Sequence, residues 1–318
     1  MVEKKHKYIQ NIAPILVLAY NRPDHLENTL ASLSLNKYSD KSDLFLSIDG
    51  PRKTEDTYLI NQCIKTANKF KKKFKSFHIQ IKDKNIGLAK NIISSIDKYI
   101  SLKKKLIILE DDIVSSPLFL AYMNYFLNYF DNTNVWHISG YVPEIHSNKL
   151  HPFFLTRMMQ CWGWATWQNK WEYFKKDPEY FENIFTNQDV YDFNLEDTFK
   201  QLWQQIIQNK NGEIDTWAIF WYATIFKNNG LCLSPNTSYV HNIGLDNSGE
   251  HCEYEHTFKF PKLNKNEDFW FSQVITKENK YAFNLLKKYY KFRNNIINRI
   301  CRKIINKIFF YLKKYILP

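Results

Sequence analysis

Apolar and polar positions along the chain alternate between short, continuous hydrophobic runs and amphipathic stretches. Ala13-Pro14-Ile15-Leu16-Val17-Leu18-Ala19-Tyr20 predicts a first strand buried on both faces. Asn21-Arg22-Pro23-Asp24 then turns the chain into a helix to about Leu35, with Pro23 in its first turn and Leu26, Leu30 and Leu33 at helical spacing. Leu44-Phe45-Leu46-Ser47-Ile48-Asp49 predicts a second strand, closed by Gly50-Pro51-Arg52 and followed by a helix carrying Leu59, Ile60, Cys63 and Ile64. Phe77 to Lys82 alternates like an edge strand, and Asn85-Ile86-Gly87 leads into a helix with Ile92, Ile93, Ile96 and Ile100 on one side. Leu106-Ile107-Ile108-Leu109 is a fourth buried strand. Strands alternating with helices in this way predict βαβ units and a parallel sheet.

Glu110-Asp111-Asp112 follows the fourth strand directly. The C-terminal edge of an open α/β sheet is its ligand side, and three acids there suit a divalent cation that offsets their repulsion. Strand alternation would send Glu110 and Asp112 to one face and Asp111 to the other. The other reading is a solvated acidic turn before a helix starting near Ser116-Pro117. The first loop carries no G-x-G-x-x-G and the chain no G-x-x-x-x-G-K-[ST], which argues against dinucleotide oxidoreductases and P-loop NTPases.

Beyond a helix over residues 117–130, Val135 to Tyr141 predicts a further strand. Cys161-Trp162-Gly163-Trp164-Ala165-Thr166-Trp167 then sets three tryptophans around one glycine, either a platform for a sugar ring or an aromatic core cluster. Trp167 reads as core. Residues 170–210 look helical and interrupted, without nameable chemistry. Glu213-Ile214-Asp215-Thr216-Trp217 opens an aromatic helix to Phe226, where Asp215 is either a helix cap or a general base. Short strands over 231–235 and 238–240 lead into a polar, glycine-containing loop, 241–252, of the kind that closes over a ligand. The spacing of His241, His251, Cys252 and His256 matches no zinc pattern.

Composition changes this picture in two places. The net charge of +12 suggests nucleic acid until it is mapped: residues 280–318 hold eleven Lys or Arg and no acid, so the rest is nearly neutral and no nucleic-acid partner is expected. Within that tail Ile297, Ile300, Ile304, Ile308 and Leu312 recur at helical spacing, with Arg299, Arg302, Lys303 and Lys314 largely to one side. A basic amphipathic helix of this kind fits either an anionic inner membrane leaflet or a groove on the protein. Five scattered cysteines without a C-x-x-C pair, and a polar start, lead us to expect a reducing, cytoplasmic setting with peripheral contact to the inner face of the cell membrane.

The sequence resembles GT-A glycosyltransferases, in particular a bacterial branch similar to the N-acetylglucosaminyltransferase I family. The matching blocks are Ala19-Tyr20-Asn21-Arg22, Ser47-Ile48-Asp49, Asn85-Ile86-Gly87-Leu88-Ala89, Leu109-Glu110-Asp111-Asp112, Cys161-Trp162-Gly163-Trp164, Asp215-Thr216-Trp217 and the glycine-serine loop, in unbroken order over residues 13–256. The resemblance implies an α/β GT-A fold, a Rossmann-like, mixed and largely parallel sheet flanked by helices. Residues 1–125 would be the nucleotide-sugar half, 126–275 the acceptor-binding and catalytic half, and 276–318 a basic amphipathic membrane-associating tail. It implies a UDP-sugar donor, possibly of N-acetylglucosamine, a glycan or lipid-linked oligosaccharide acceptor, and Mn²⁺ or Mg²⁺. Arg22 would contact the diphosphate, Asp49 the uracil, and Glu110 and Asp111 the ribose and sugar hydroxyls, with Asn85 and Ser248 also on the donor side. Asp112 would hold the metal, with His251 beside it, Asp215 would be the base, and Trp162, Trp164 and Trp217 would meet the acceptor. Thr216 stands where a second acid is common, and the loop's glycine spacing departs from the family pattern. A sugar nucleotidyltransferase and a non-catalytic carbohydrate-binding protein are the rival readings.

Overall fold

The computed structural model describes residues 11–145, 147–246, 262–267, 269 and 276–295. The first apolar run forms β1 (Ile15–Ala19), every residue of it buried. The chain continues through α1 (Pro23–Ser34), β2 (Asp43–Ile48), α2 (Thr54–Asn68), β3 (Ser76–Ile81), α3 (Leu88–Ile100) and β4 (Lys105–Glu110). The strands β3, β2, β1 and β4 lie in that spatial order and are parallel throughout, as the alternation of strands and helices requires. After β5 (Ile113–Ser115) and α4 (Phe119–Tyr129) come β6 (Val135–Ser139), β7 (Phe153–Thr156) and β8 (Trp164–Trp167). Helices α5 (Gln168–Trp171), α6 (Pro178–Ile184), α7 (Asn187–Phe193), α8 (Gln201–Lys210) and α9 (Ala218–Lys227) fill the next segment. The chain then runs into β9 (Leu231–Pro235), β10 (Val240–Asn242) and α10 (Lys280–Asn294).

Among the described residues eight strands make one sheet in the order β3-β2-β1-β4-β8-β6-β9-β7, and β10 pairs with β5 as a separate antiparallel ribbon. β8 is antiparallel to both β4 and β6, and β7 to β9. The result is a mixed, largely parallel sheet flanked by helices, a Rossmann-like GT-A architecture with a C-terminal helix. Alternate residues of one strand serve opposite faces: Ile15 and Val17 pack with Leu26, Leu30 and Leu33 of α1, and Leu16 and Leu18 pack with Ile92 and Ile96 of α3. Leu59 is exposed, since α2 turns Ile60, Cys63 and Ala67 to the sheet.

The segment Trp164–Trp167 is a central strand and not a surface platform. Its position between β4 and β6 buries Trp164, whose ring stacks on His137 (5.1 Å) and on Trp217 (5.3 Å), within a cluster that includes Trp171 and Trp221. Much of the chain's aromatic content is therefore core. Helix α10 is a second case in which an amphipathic surface finds its partner within the molecule: Ala282, Phe283 and Leu286 are buried against the sheet's second face. It is held by Asn279 N–H to the Leu155 carbonyl (2.7 Å), by Gln160 Nε2–H to Tyr290 Oη (2.8 Å), by Arg157 over the Phe283 ring and by an ion pair of Lys287 with Glu196. The expected membrane-facing stretch thus divides, with 280–294 docked on the domain and residues 296–318 outside the described residues. No helix among the described residues is long and apolar enough to cross a membrane.

His137 on β6 is fully buried; its Nε2 meets the Gln160 carbonyl at 2.9 Å, and its Nδ1 accepts a hydrogen bond from Trp221 Nε1–H at 3.2 Å. These partners fix a neutral ring protonated at Nε2, and burial pulls its pKa down to about 3. In the unfolded chain the imidazole takes up a second proton near pH 6.5, so stability from His137 is complete above that value and is lost as pH falls toward 3. Urea unfolding at pH 7, 6 and 5 should show a loss approaching ~1.4 kcal/mol per pH unit from this group. The slope should flatten by about that much in His137→Gln; equal slopes in the two proteins would contradict it.

Candidate functional site

Because β2, β1 and β4 are adjacent and parallel, their C-terminal ends bring Asp49, Tyr20 to Arg22, and Glu110 to Asp112 to one rim. They open onto a cavity of about 290 Å³. Arg22, Asp49, Asn85, Glu110, Asp111 and Asp112 line it, and so do Asp215, Thr216 and Trp217. Eight of the residues singled out from the sequence thus meet in one space. Trp162 and Trp164 are not among its lining residues: Trp164 is in the core, and Trp162 packs on Tyr141 at 4.4 Å. Ser248 and His251 lie outside the described residues.

Asp49 is a structural clip as well as a wall. Its Oδ1 accepts hydrogen bonds from Gly50 N–H (2.9 Å) and Ile86 N–H (3.0 Å), and its Oδ2 from Gly87 N–H (3.0 Å). A carboxylate has about four acceptor positions, so about one is left for a ligand. Gly87 has φ +82, a left-handed conformation that glycine adopts without strain, and this turn starts α3. Asn85 reaches back to the Gly50 carbonyl (3.1 Å) and accepts from Arg52 Nε–H (3.1 Å), which holds Arg52 against the cavity. Gln205 of α8 is a lining residue that the sequence patterns do not mark, and Arg52 and Cys161, named there only within a turn and a matching block, also line the cavity.

The three acids do not divide between two faces. β4 ends at Glu110, and Asp111 and Asp112 sit in the turn after it, so strand alternation no longer governs them and all three line the cavity. Thr29 of α1 donates to the Asp111 carbonyl (2.7 Å) and pins that turn. Burial raises the pKa of Glu110, and its two neighbours raise it further while Arg22 opposes them. Burial also raises that of Asp111, with Arg22 again opposing. Arg22 is the counter-charge: its Nη2 donates to Asp111 and, at 2.9 Å, to Asp112 Oδ2. Burial opposes its charge, and the two aspartates outweigh that effect. Two buried polar atoms here, Arg22 Nη1 and Asp112 Oδ1, have no hydrogen-bond partner among the described residues. Among those residues no group of three or more His, Cys, Asp or Glu side chains is arranged to hold a metal ion.

Asp215 does not cap α9, whose N-terminal residue Trp217 has no side-chain cap. It stands more than half exposed in an ion pair with Lys176, a residue of the segment without nameable chemistry in sequence. Asn209 clasps the next residue by accepting from Thr216 N–H (3.0 Å) and donating to Thr216 Oγ1 (2.9 Å), which sets the backbone at Asp215. Glu213 bonds to Asn211 and is not a lining residue.

The polar loop after β10 begins at the acids. Ile243 N–H donates to the Asp112 carbonyl (2.8 Å), and His25 of α1 lies 3.2 Å from Asp246. Gly244 is pressed so closely on Asp112 that a β-carbon there would lie 2.9 Å from its Cγ and closer still to Oδ2. Gly244→Ala must push the carboxylate off Arg22 or move the loop. An overpacking cost of about 1–3 kcal/mol is expected in urea unfolding, and an unchanged midpoint would show that the contact yields freely.

No protein-family model matches the chain, and no curated protein matches it. Among solved structures it is similar to S. aureus TarS 1-349, with 9% identity over 72% of this chain and 60% of that one and a TM-score of 0.45. The same protein in complex with UDP-GlcNAc gives 11% identity over 40% of this chain and 33% of that one, TM-score 0.32. A mannosyltransferase, PcManGT from Pyrobaculum calidifontis, in complex with GDP-Man and Mn²⁺, gives 9% identity over 71% and 74% of the two chains, TM-score 0.39. The chain spans 33% and 60% of the two TarS chains. Likeness at this level says nothing of what the chain binds.

Proposed function

We propose that the protein is an inverting glycosyltransferase that moves a sugar from a UDP-sugar to a hydroxyl of a bacterial surface polysaccharide or lipid-linked oligosaccharide, with Mn²⁺ or Mg²⁺ as cofactor. The observation that carries this reading is the meeting of Arg22, the three acids and Asp215 in one cavity at the C-terminal edge of parallel strands. A nucleotide diphosphate brings anionic oxygens that need a guanidinium, and a sugar brings hydroxyls that suit carboxylates. Glu110 and Asp111 have that second role.

Asp112 fits a divalent cation because its buried Oδ1 lacks a hydrogen-bond partner among the described residues. A bound Mn²⁺ or Mg²⁺ neutralises charge on the departing diphosphate. Asp215 takes the proton from the acceptor hydroxyl, the acceptor oxygen bonds to the anomeric carbon, and the bond from that carbon to the diphosphate oxygen breaks with inversion. Asp215 is preferred over Glu213 because only Asp215 reaches the cavity. Lys176 must part from Asp215 during this step, and it holds the carboxylate at the rim until then. Trp217 offers the acceptor an apolar wall. Membrane contact belongs to residues 296–318 in this reading, since the inner face of α10 is already covered.

Thermal-shift and calorimetric screens with UDP, GDP, CMP and dTDP, each with Mn²⁺ and with chelator, test the donor. Selective, metal-dependent stabilisation by UDP is expected, because a ligand that binds only the native state raises its apparent stability. Asp112→Asn should abolish metal-dependent UDP binding with an unchanged circular dichroism spectrum; retained affinity in Mn²⁺ would remove the metal assignment. Asp215→Asn should keep UDP binding and lose about 10²–10⁴-fold in turnover, read by single-turnover kinetics, and near-normal turnover would point to another base.

A further inference from the structure

We propose that Arg22 is an exchangeable counter-cation. In the ligand-free protein it occupies the acids in place of a metal, and it is handed over to the diphosphate when a divalent cation takes Asp112. This deepens the reading above and rests on it.

Three consecutive carboxylates line the cavity wall, two of them, Asp111 and Asp112, meet one guanidinium directly, and burial makes the repulsion among neighbouring charges strong. Arg22 satisfies that demand only in part. Its Nη2 serves both Asp111 and Asp112, while Nη1 stays buried without an acceptor and Asp112 Oδ1 without a donor among the described residues. A buried donor and a buried acceptor left open in the same ion pair each cost free energy. The fork is therefore engaged through one nitrogen, although a guanidinium binds an oxyanion best through two.

A divalent cation held by Asp112 would remove the defect at Oδ1 and would free Nη1 to seek another acceptor. It satisfies Oδ1 and brings twice the charge of Arg22 to the acids, so the guanidinium loses its attraction to Asp112 and faces a like charge. Nη1 and Nη2 are then available together for a diphosphate. Gly244 crowds the Asp112 carboxylate on the side of its Oδ2, which disfavours the alternative in which that carboxylate itself swings aside. Movement falls to Arg22, which stands just before the first turn of α1 and whose long side chain has more rotatable bonds than an aspartate's. Cation and nucleotide consequently favour each other's binding through one side chain.

The test is Mn²⁺ binding by electron paramagnetic resonance in the absence of nucleotide, and UDP binding by calorimetry at saturating Mn²⁺, on the full chain. Arg22→Gln should bind Mn²⁺ alone roughly 3- to 10-fold more tightly and UDP roughly tenfold more weakly. Arg22→Lys keeps the charge without the fork, so its Mn²⁺ affinity should stay within about twofold of the parent while UDP binding falls. A residue that merely supported the fold would move both affinities the same way. Arg22→Gln with unchanged or weaker Mn²⁺ binding overturns the exchange, and so does Arg22→Lys with parental UDP affinity. Asp112→Asn separates the two levels: if it binds Mn²⁺ as the parent does, the metal reading fails and the exchange with it. If it loses Mn²⁺ while Arg22→Gln gains none, only the exchange fails.

Discussion

The repulsion among Glu110, Asp111 and Asp112 is the constraint on which the rest of the site depends. A strand buried on both faces delivers them to a place where water screens them poorly, and only the parallel arrangement of β1 beside β4 brings a guanidinium to within reach. Thr29 fixes the turn from behind, and Gly244 and Ile243 fix it from the front. The acid turn is thus held from both sides by contacts to its backbone, while Arg22 meets it through side-chain contacts.

The part of this architecture legible in sequence is the part written in uninterrupted apolar runs. β1, β2 and β4 are each longer than four residues and buried on both faces, and their ends carry Arg22, Asp49 and the acids within a few residues. Position along the chain is enough there. Trp164–Trp167 does not read as a strand in sequence because four residues, three of them tryptophan or threonine, show no period, and only the β4 and β6 edges on either side make it one. Lys176 is invisible for a different reason: its partner lies 39 residues away, and nothing local distinguishes it in a lysine-rich chain. Strand alternation misplaces Asp111 because the strand stops one residue before it.

The aromatic cluster shows how core and site share material. Trp217 lines the cavity and also stacks on Trp164, and Trp164 in turn lies on His137. The lining around Trp217 is therefore backed by packed rings, while the lining around Asp49 and Arg52 rests on loop backbones whose N–H groups donate to Asp49 and Asp56. The first lining resists deformation by close packing and the second by hydrogen bonds.

The docking of α10 decides where the chain can be cut. Ala282, Phe283 and Leu286 complete the second face of the sheet, and Glu278 just before the helix holds Arg157 through both oxygens. A truncated protein ending near residue 279 would expose that apolar surface and would be prone to aggregate whether or not the missing basic segment ever touched a membrane. A terminus after Asn295 keeps the helix and its buried face, so vesicle binding can be compared between two proteins that both retain α10.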